Sequence, residues 1–208
     1  MERVEIPRET IYRLSLYQRC LSKLMENEID TVSSSALAKA AGVKPAQLRK
    51  DLTYFGQFGT RGLGYDVQEL REAVREALGR THLQPVVLVG VGNLGSALLR
   101  YQGFLKEGFE VVAAFDAVPD AVLKRSISVP VHDVAGMRNF IRDHDVRLAI
   151  LSVPAENAQE AANELVDAGV TGILNFSPSV LLVPETVTVN NVDLALELEN
   201  LSYFVSQE

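Results

Sequence analysis

The sequence is short of the residues that mark secreted, membrane-bound and catalytic proteins. Cys20 is the only cysteine in 208 residues, which excludes an internal disulfide and a cysteine-rich metal site. It falls among Tyr17, Leu21 and Leu24, the setting of a small buried side chain rather than a redox thiol. No apolar run is long enough to span a bilayer, and Met1-Glu2-Arg3-Val4-Glu5 has no signal-peptide pattern. A cytoplasmic location with no membrane partner is expected. Histidines are equally scarce. His82 lies in a polar linker, His132 follows Pro130 in an irregular stretch, and His144 falls at the far end of a strand; all three read as surface residues. No Ser/His/Asp order, metal-ligand spacing or Gly-Lys-Ser/Thr phosphate loop occurs, so neither catalytic residues nor metal ligands are nominated.

What is present is ordinary in bulk and uneven in detail. An apolar fraction of 47% and a charged fraction of 23% suit a soluble globular chain, long enough for one large domain or two modest ones. The net charge is −7. Residues 1–80 carry 13 Lys and Arg against 11 Asp and Glu, while the remainder carries 7 against 16. An acidic module joined to a mildly basic one points to two partners.

Near the middle, Val86 to Val89 is a short apolar run, as expected of a parallel strand covered on both faces, and Ala97-Leu98-Leu99 are good helix formers. Between them lies Gly90-Val91-Gly92-Asn93-Leu94-Gly95. Gly90 permits a sharp turn, Gly92 lacks the Cβ that would block a pyrophosphate, and Gly95 lets helix and strand pack closely. Asp116 ends the next strand, where a carboxylate accepts hydrogen bonds from an adenosine ribose and disfavours the 2′-phosphate of NADP and the 3′-phosphate of coenzyme A. Strands are expected at 86–90, 111–115, 146–153 and 170–174, with shorter ones near Val129 and Val187. Helices at 94–104, 134–144 and 155–168 complete a Rossmann-type, doubly wound parallel sheet. Ligands of such sheets bind beyond the strands' carboxyl ends, which gathers Gly90 to Leu94, Asp116, Ser152-Val153-Pro154 and Asn175-Phe176-Ser177-Pro178 around one crevice.

The first half reads differently. A helix over 7–28 precedes a short one over 36–41, with Ser33 to Ser35 as candidate N-caps, and a third that starts at Pro45. Leu48, Leu52 and Phe55 share one face of this third helix; Gln47, Arg49, Lys50, Thr53 and Tyr54 share the other, and such side chains suit base edges and phosphates. Residues 56–65 alternate glycine with Phe, Thr, Leu and Tyr and predict a hairpin with Arg61 near its tip. Helix-turn-helix plus ribbon describes a winged helix. A helix over 66–78 follows, with Asp66 and Glu69 resembling a capping box. Three parts are therefore expected: a winged-helix domain over 1–80, a dinucleotide-binding domain over 81–189, and a last helix over 190–208, capped by Asn190 or Asn191. The last helix carries Leu194, Leu198, Leu201 and Val205 on one stripe, which either packs on its own sheet or inserts into a second subunit. Six strands and their helices use up the second half, leaving no substrate domain. A dinucleotide acting as effector is thus preferred to a small NAD-dependent dehydrogenase with a helical cap.

Five segments carry a family resemblance: Ser33-Ser34-Ser35-Ala36-Leu37, Gln47 to Gly56, Phe58 to Tyr65, Gly90 to Gly95, and Leu174-Asn175-Phe176-Ser177-Pro178. Over essentially its full length the chain resembles the Rex family of redox-sensing bacterial transcriptional repressors. The resemblance implies a homodimer that binds NADH and NAD+ as effectors, occupies operator DNA when NADH is scarce, and exchanges its C-terminal helix between subunits. It implies DNA contacts at Arg49, Lys50, Tyr54 and Arg61, to which Ser34, Lys44, Gln47, Thr60 and Gly62 are added as candidates. It places Tyr101 near the nicotinamide, and gives Arg19, Tyr101 and Asp193 a part in linking the helical domain, the cofactor and the partner subunit. The cofactor set is then Gly90, Val91, Gly92, Asn93, Leu94, Gly95, Tyr101, Asp116, Val153, Pro154, Asn175, Phe176 and Ser177. Reduced nicotinamide would close the pocket and rotate the subunits, respacing the recognition helices.

Overall fold

The computed structural model describes residues 6–59, 63–79, 81–119 and 128–206. The chain divides into two compact units, residues 1–82 and 83–208.

The first unit is helical. Helix α1 (Arg8–Glu26) buries Leu14, Tyr17 and Leu21 at helical spacing. These pack with Leu37 of α2 (Ser34–Ala40), Leu48 and Leu52 of α3 (Pro45–Thr53), and Leu70 and Val74 of α4 (Val67–Ala77) in one core. Ser33 caps α2 by accepting the Ala36 N–H at 3.1 Å, and Asp66 caps α4 by accepting the Glu69 N–H at 2.8 Å. The tip of the expected hairpin over 56–65 lies outside the described residues, and its far end pairs with an earlier strand. Strand β1 (Thr31–Val32) lies antiparallel to β2 (Tyr65–Asp66), and among the described residues 56–59 form no strand. The pairing needs a close approach: a Cβ at Gly64, where φ is +91°, would lie 2.5 Å from the Val32 carbonyl oxygen. Thr60, Arg61 and Gly62 lie outside the described residues.

The second unit is a six-stranded sheet in the order β5-β4-β3-β6-β7-β8, parallel throughout. Its strands are β3 (Gln84–Val89), β4 (Phe109–Asp116), β5 (Val131–Asp133), β6 (Leu148–Leu151), β7 (Gly172–Asn175) and β8 (Thr188–Asn191). Alternation along β3 builds two cores. Val87 and Val89 join Phe115, Met137, Ile141, Ala162 and Leu165, whereas Val86 and Leu88 join Leu99, Ala114 and Ile150. The chain runs from β3 through β4 to β5 on one side and then crosses back to β6 on the other side of β3, so the order reverses beside β3 and a crevice is expected at the carboxyl ends of these strands.

Helix α5 (Asn93–Leu99) stops short of the expected 94–104, and a separate turn of helix, α6 (Gly103–Lys106), follows. The Tyr101 ring lies at the break. It fills the space beside Gly103, where a Cβ would come within 2.2 Å of the ring, and meets Phe104 edge-on at 5.1 Å. Helix α7 (Met137–Asp143) is preceded by a 3-10 turn capped by Asp133, which accepts the Ala135 N–H, and α8 (Ala155–Ala168) has the expected bounds. The last helix, α9 (Leu194–Val205), is capped by neither Asn190 nor Asn191, which belong to β8. Asp193 does this instead, accepting the Ala195 and Leu196 N–H groups at 2.9 and 3.1 Å. No described helix is long and apolar enough to cross a membrane.

Candidate dinucleotide and nucleic-acid sites

In the second unit the glycine loop is knitted to the strand ends around it. Gly90 turns at φ +90°, and a Cβ there would sit 2.7 Å from the Ser152 carbonyl oxygen. A Cβ on Gly95 would lie 2.0 Å from the Gly90 oxygen, while one on Gly92 would meet nothing within 4 Å. The three glycines therefore serve a turn, an open approach and a close packing contact, as their spacing predicts. Ser152 Oγ donates to the Gly90 carbonyl at 2.8 Å, tying the loop to the end of β6. Asn93 and Leu94 are exposed, and no side chain caps α5. Val91 turns its side chain into the core, and its N–H donates to Asp116 Oδ2 at 2.7 Å. Asp116 Oδ1 accepts the Val118 N–H at 2.9 Å, so the carboxylate is held in place by two backbone donors.

Val153 packs against the core and Pro154 starts α8. Asn175 and Phe176 follow at the end of β7, with the Phe176 N–H donating to Leu151 O at 2.8 Å. Ser177 is only 6% exposed and its hydroxyl has no partner among the described residues. A buried hydroxyl left unpaired costs free energy, and a polar ligand group in the crevice would relieve it. Tyr101 is 60% exposed at the α5–α6 break, with its contacts made to Gly103 and Phe104. The described residues hold no cluster of side chains fit for a metal.

In the first unit, α3 presents Lys44, Arg49, Lys50, Thr53 and Tyr54 outward. Arg49 Nη1 donates to Ser34 Oγ at 3.1 Å, so two candidate DNA residues brace each other across α2 and α3. Gln47 is half-buried and turns its amide inward to donate to Asp51 Oδ1 at 2.8 Å. Asp51 itself is absent from the sequence-based set. Wholly buried, it accepts from Arg13 Nε and Nη2 at 2.6 and 2.7 Å and from the Tyr17 hydroxyl at 2.7 Å. Burial pushes its carboxyl up, but hydrogen bonds from Arg13, Tyr17 and Gln47 outweigh this and leave it below the usual value. For Tyr17, burial and the bond to Asp51 push the phenol above its ordinary range. The signal for Asp51 was available: it lies on the same face as Leu48 and Leu52, a carboxylate within an apolar stripe. Arg19 is exposed on α1.

Curated relatives align with the whole chain. "Redox-sensing transcriptional repressor Rex" of Syntrophobacter fumaroxidans is 45% identical over 99% of both chains. The chain belongs to the Rex family. The Rex repressor of Streptomyces coelicolor is 48% identical over 95% of this chain and 77% of its own. Among solved structures, RSP in complex with β-NAD+ and operator DNA matches with a TM-score of 0.90 at 37% identity, covering 98% of this chain and 94% of that one. RSP in complex with β-NADH matches at 0.85 and 36%, covering 98% and 96%. By domain, residues 5–53 match the family model described as "Putative DNA-binding protein N-terminus" and residues 81–179 the model described as "CoA binding domain". The Rex architecture is thus a winged-helix DNA-binding domain followed by a Rossmann-type parallel sheet.

Proposed function

We propose that this protein is a transcriptional repressor that reads the ratio of NADH to NAD+, holding operator DNA when NADH is scarce and releasing it when NADH binds. The observation that carries this reading is the pairing, in one chain, of the Gly90–Gly95 loop and Asp116 with the outward Arg49, Lys50 and Tyr54 of α3. The RSP complexes with NAD+ plus operator DNA and with NADH support it.

The residues of the second unit fit a dinucleotide. The open side of Gly92 and the loop amides suit a pyrophosphate, Asp116 suits the adenosine ribose, and the orphan hydroxyl of Ser177 suits a polar group farther along the crevice. Val153, Pro154, Asn175 and Phe176 would form its walls, with Tyr101 beside the nicotinamide. Coenzyme A, named by the family model, fits less well because the Asp116 carboxylate would repel its ribose phosphate. When bound, the dinucleotide supplies a ring whose charge differs between its oxidised and reduced forms. No catalytic group of this chain is assigned to it, so we infer an effector and not a cosubstrate.

On the DNA side, α3 would enter the major groove. Ser34, Lys44, Arg49, Lys50 and Tyr54 would contact phosphates and base edges, Gln47 would instead hold α3 through its inward bond to Asp51, and Thr60, Arg61 and Gly62 would reach the backbone or the minor groove. Two half-sites require two copies. Helix α9 exposes Leu194, Leu198, Leu201, Tyr203, Phe204 and Val205, a continuous apolar surface that a soluble monomer does not sustain. Its exchange into a partner subunit would cover it, with Arg19, Tyr101 and Asp193 linking the parts. A cytoplasmic setting follows from DNA as partner.

Titrating a fluorescent operator with the protein in the presence of NADH or NAD+ tests the reading. Weaker operator binding with NADH is expected; equal affinity in the two titrations would overturn it.

A further inference from the structure

Asn175 and Asn191 form a junction between the two ends of the crevice wall. Asn175, 1% exposed, accepts the Ser177 N–H through Oδ1 at 2.9 Å. Its amide nitrogen donates to the Ser179 carbonyl and to Asn191 Oδ1, both at 2.9 Å. These orientations are determined by chemistry. Ser177 offers a backbone donor and Ser179 a backbone acceptor, so the Asn175 amide has one possible direction and Asn191 must present its oxygen. The main chain adds a parallel link, since the Val192 N–H donates to Asn175 O at 2.8 Å.

On the other side of this junction stands α9. Asn191 ends β8, and two residues later Asp193 caps the helix. The helix buries none of its side chains in its own chain, so its direction is set at its root. The Asn175 amide thus bonds the Ser177 and Ser179 backbone on one side and Asn191 on the other, joining the loop to β8 through one side chain. Beside this junction the buried Ser177 hydroxyl has no partner among the described residues.

We propose that Asn191 is a positioning residue that passes the state of the Ser177 loop to the root of α9, so that a dinucleotide engaging the loop reorients the helix. This rests on the reading given under Proposed function. A group bonded to Ser177 shifts the 177–179 loop. Asn175 holds that loop at Ser177 N–H and Ser179 O, and only the Asn191 side chain extends the same amide to β8. Asn191 is itself exposed, so core packing does not account for the bond it makes.

The experiment uses the full chain with Asn191→Ala and Asn191→Asp. Operator affinity is measured by fluorescence anisotropy with and without saturating NADH, and NADH affinity by nicotinamide fluorescence. Asn191→Ala is expected to keep NADH affinity, and operator affinity without NADH, within about twofold, because Asn191 belongs to neither of the residue sets assigned to the dinucleotide and the DNA; any loss of coupling must then appear equally in the operator's effect on NADH affinity. The factor by which NADH weakens operator binding should fall about fivefold, the worth of one intramolecular hydrogen bond. Asn191→Asp keeps the acceptor and should keep the wild-type factor. A wild-type factor in Asn191→Ala would overturn the proposal, as would a matching loss of NADH affinity or an Asn191→Asp variant that behaves like Asn191→Ala. Should Asn191→Ala melt early, Asn191→Ser, whose hydroxyl is too short to reach Asn175, repeats the comparison. Absence of any NADH effect in the wild type is a separate result, and it would overturn the function itself.

Discussion

Asp51 in the helical unit and Ser177 in the sheet unit are both buried polar side chains, and they are treated in opposite ways. Asp51 receives hydrogen bonds from Arg13, Tyr17 and Gln47, whereas the Ser177 hydroxyl receives and donates none among the described residues. A fully satisfied charge ties elements together; here α3 is fixed to α1 through the residue that follows Lys50. An unsatisfied hydroxyl stabilises nothing in the free protein and is explained by what binds it. The difference separates a scaffold that must hold a recognition helix still from a crevice that must respond.

The sharpest way to break the comparison is to empty the satisfied site. Asp51→Ala leaves Arg13 and Tyr17 without their acceptor, and removing one partner of a buried pair costs about 3–5 kcal/mol. Denaturant unfolding should show that loss in the helical unit, with operator binding abolished and NADH binding retained. A pH dependence follows from the same carboxyl. Its value is lowered in the folded chain, so its contribution is fully present above the unfolded carboxylate value of about 3.9 and is lost as pH falls through the lowered one. Asp51→Asn should melt with less dependence on acid than the wild type below about pH 4.

Next in size is the exposed helix. Leu198→Asp removes no burial from its own chain, yet it would place a charge in an apolar interface, at a cost of several kcal/mol. Sedimentation should show monomers whose sheet core melts normally; an intact dimer would refute the exchange of α9. Asp116→Arg comes after it. Replacing a carboxylate that accepts charge-assisted bonds should weaken NADH binding about ten- to a hundredfold, and an unchanged affinity would show that the acid is not at the ribose.

Legibility in the sequence followed the range of the interactions. The bounds of α8 could be read because they depend on neighbours within a few residues, the roles of Gly90, Gly92 and Gly95 because their spacing marks a turn even though Gly90 closes on the distant Ser152, and buried parallel strands announce themselves as apolar runs. Asp51 was missed because its main partner, Arg13, lies 38 positions away, and because Arg49 and Lys50 disguise it as part of a charged face. Strand β1 is two residues long and carries no period. At the break, the Tyr101 ring lies against Gly103, a contact that helix propensity does not encode. Asn190 and Asn191 resembled caps, but the ladder with β7 claims them and leaves the capping to Asp193. Short-range chemistry was visible, and side chains recruited by distant elements were not.

Ser177→Ala has the smallest expected effect and bears most directly on the contrast. In the free protein the hydroxyl is buried without a partner, so removing it takes away a desolvated group and loses no bond; thermal stability should stay level or rise slightly. If a dinucleotide relieves that hydroxyl, the same substitution should weaken NADH binding about fivefold, the worth of one hydrogen bond. The two measurements move in opposite directions only if the group serves the ligand. A lowered melting temperature with unchanged NADH affinity would place Ser177 with Asp51, as part of the scaffold.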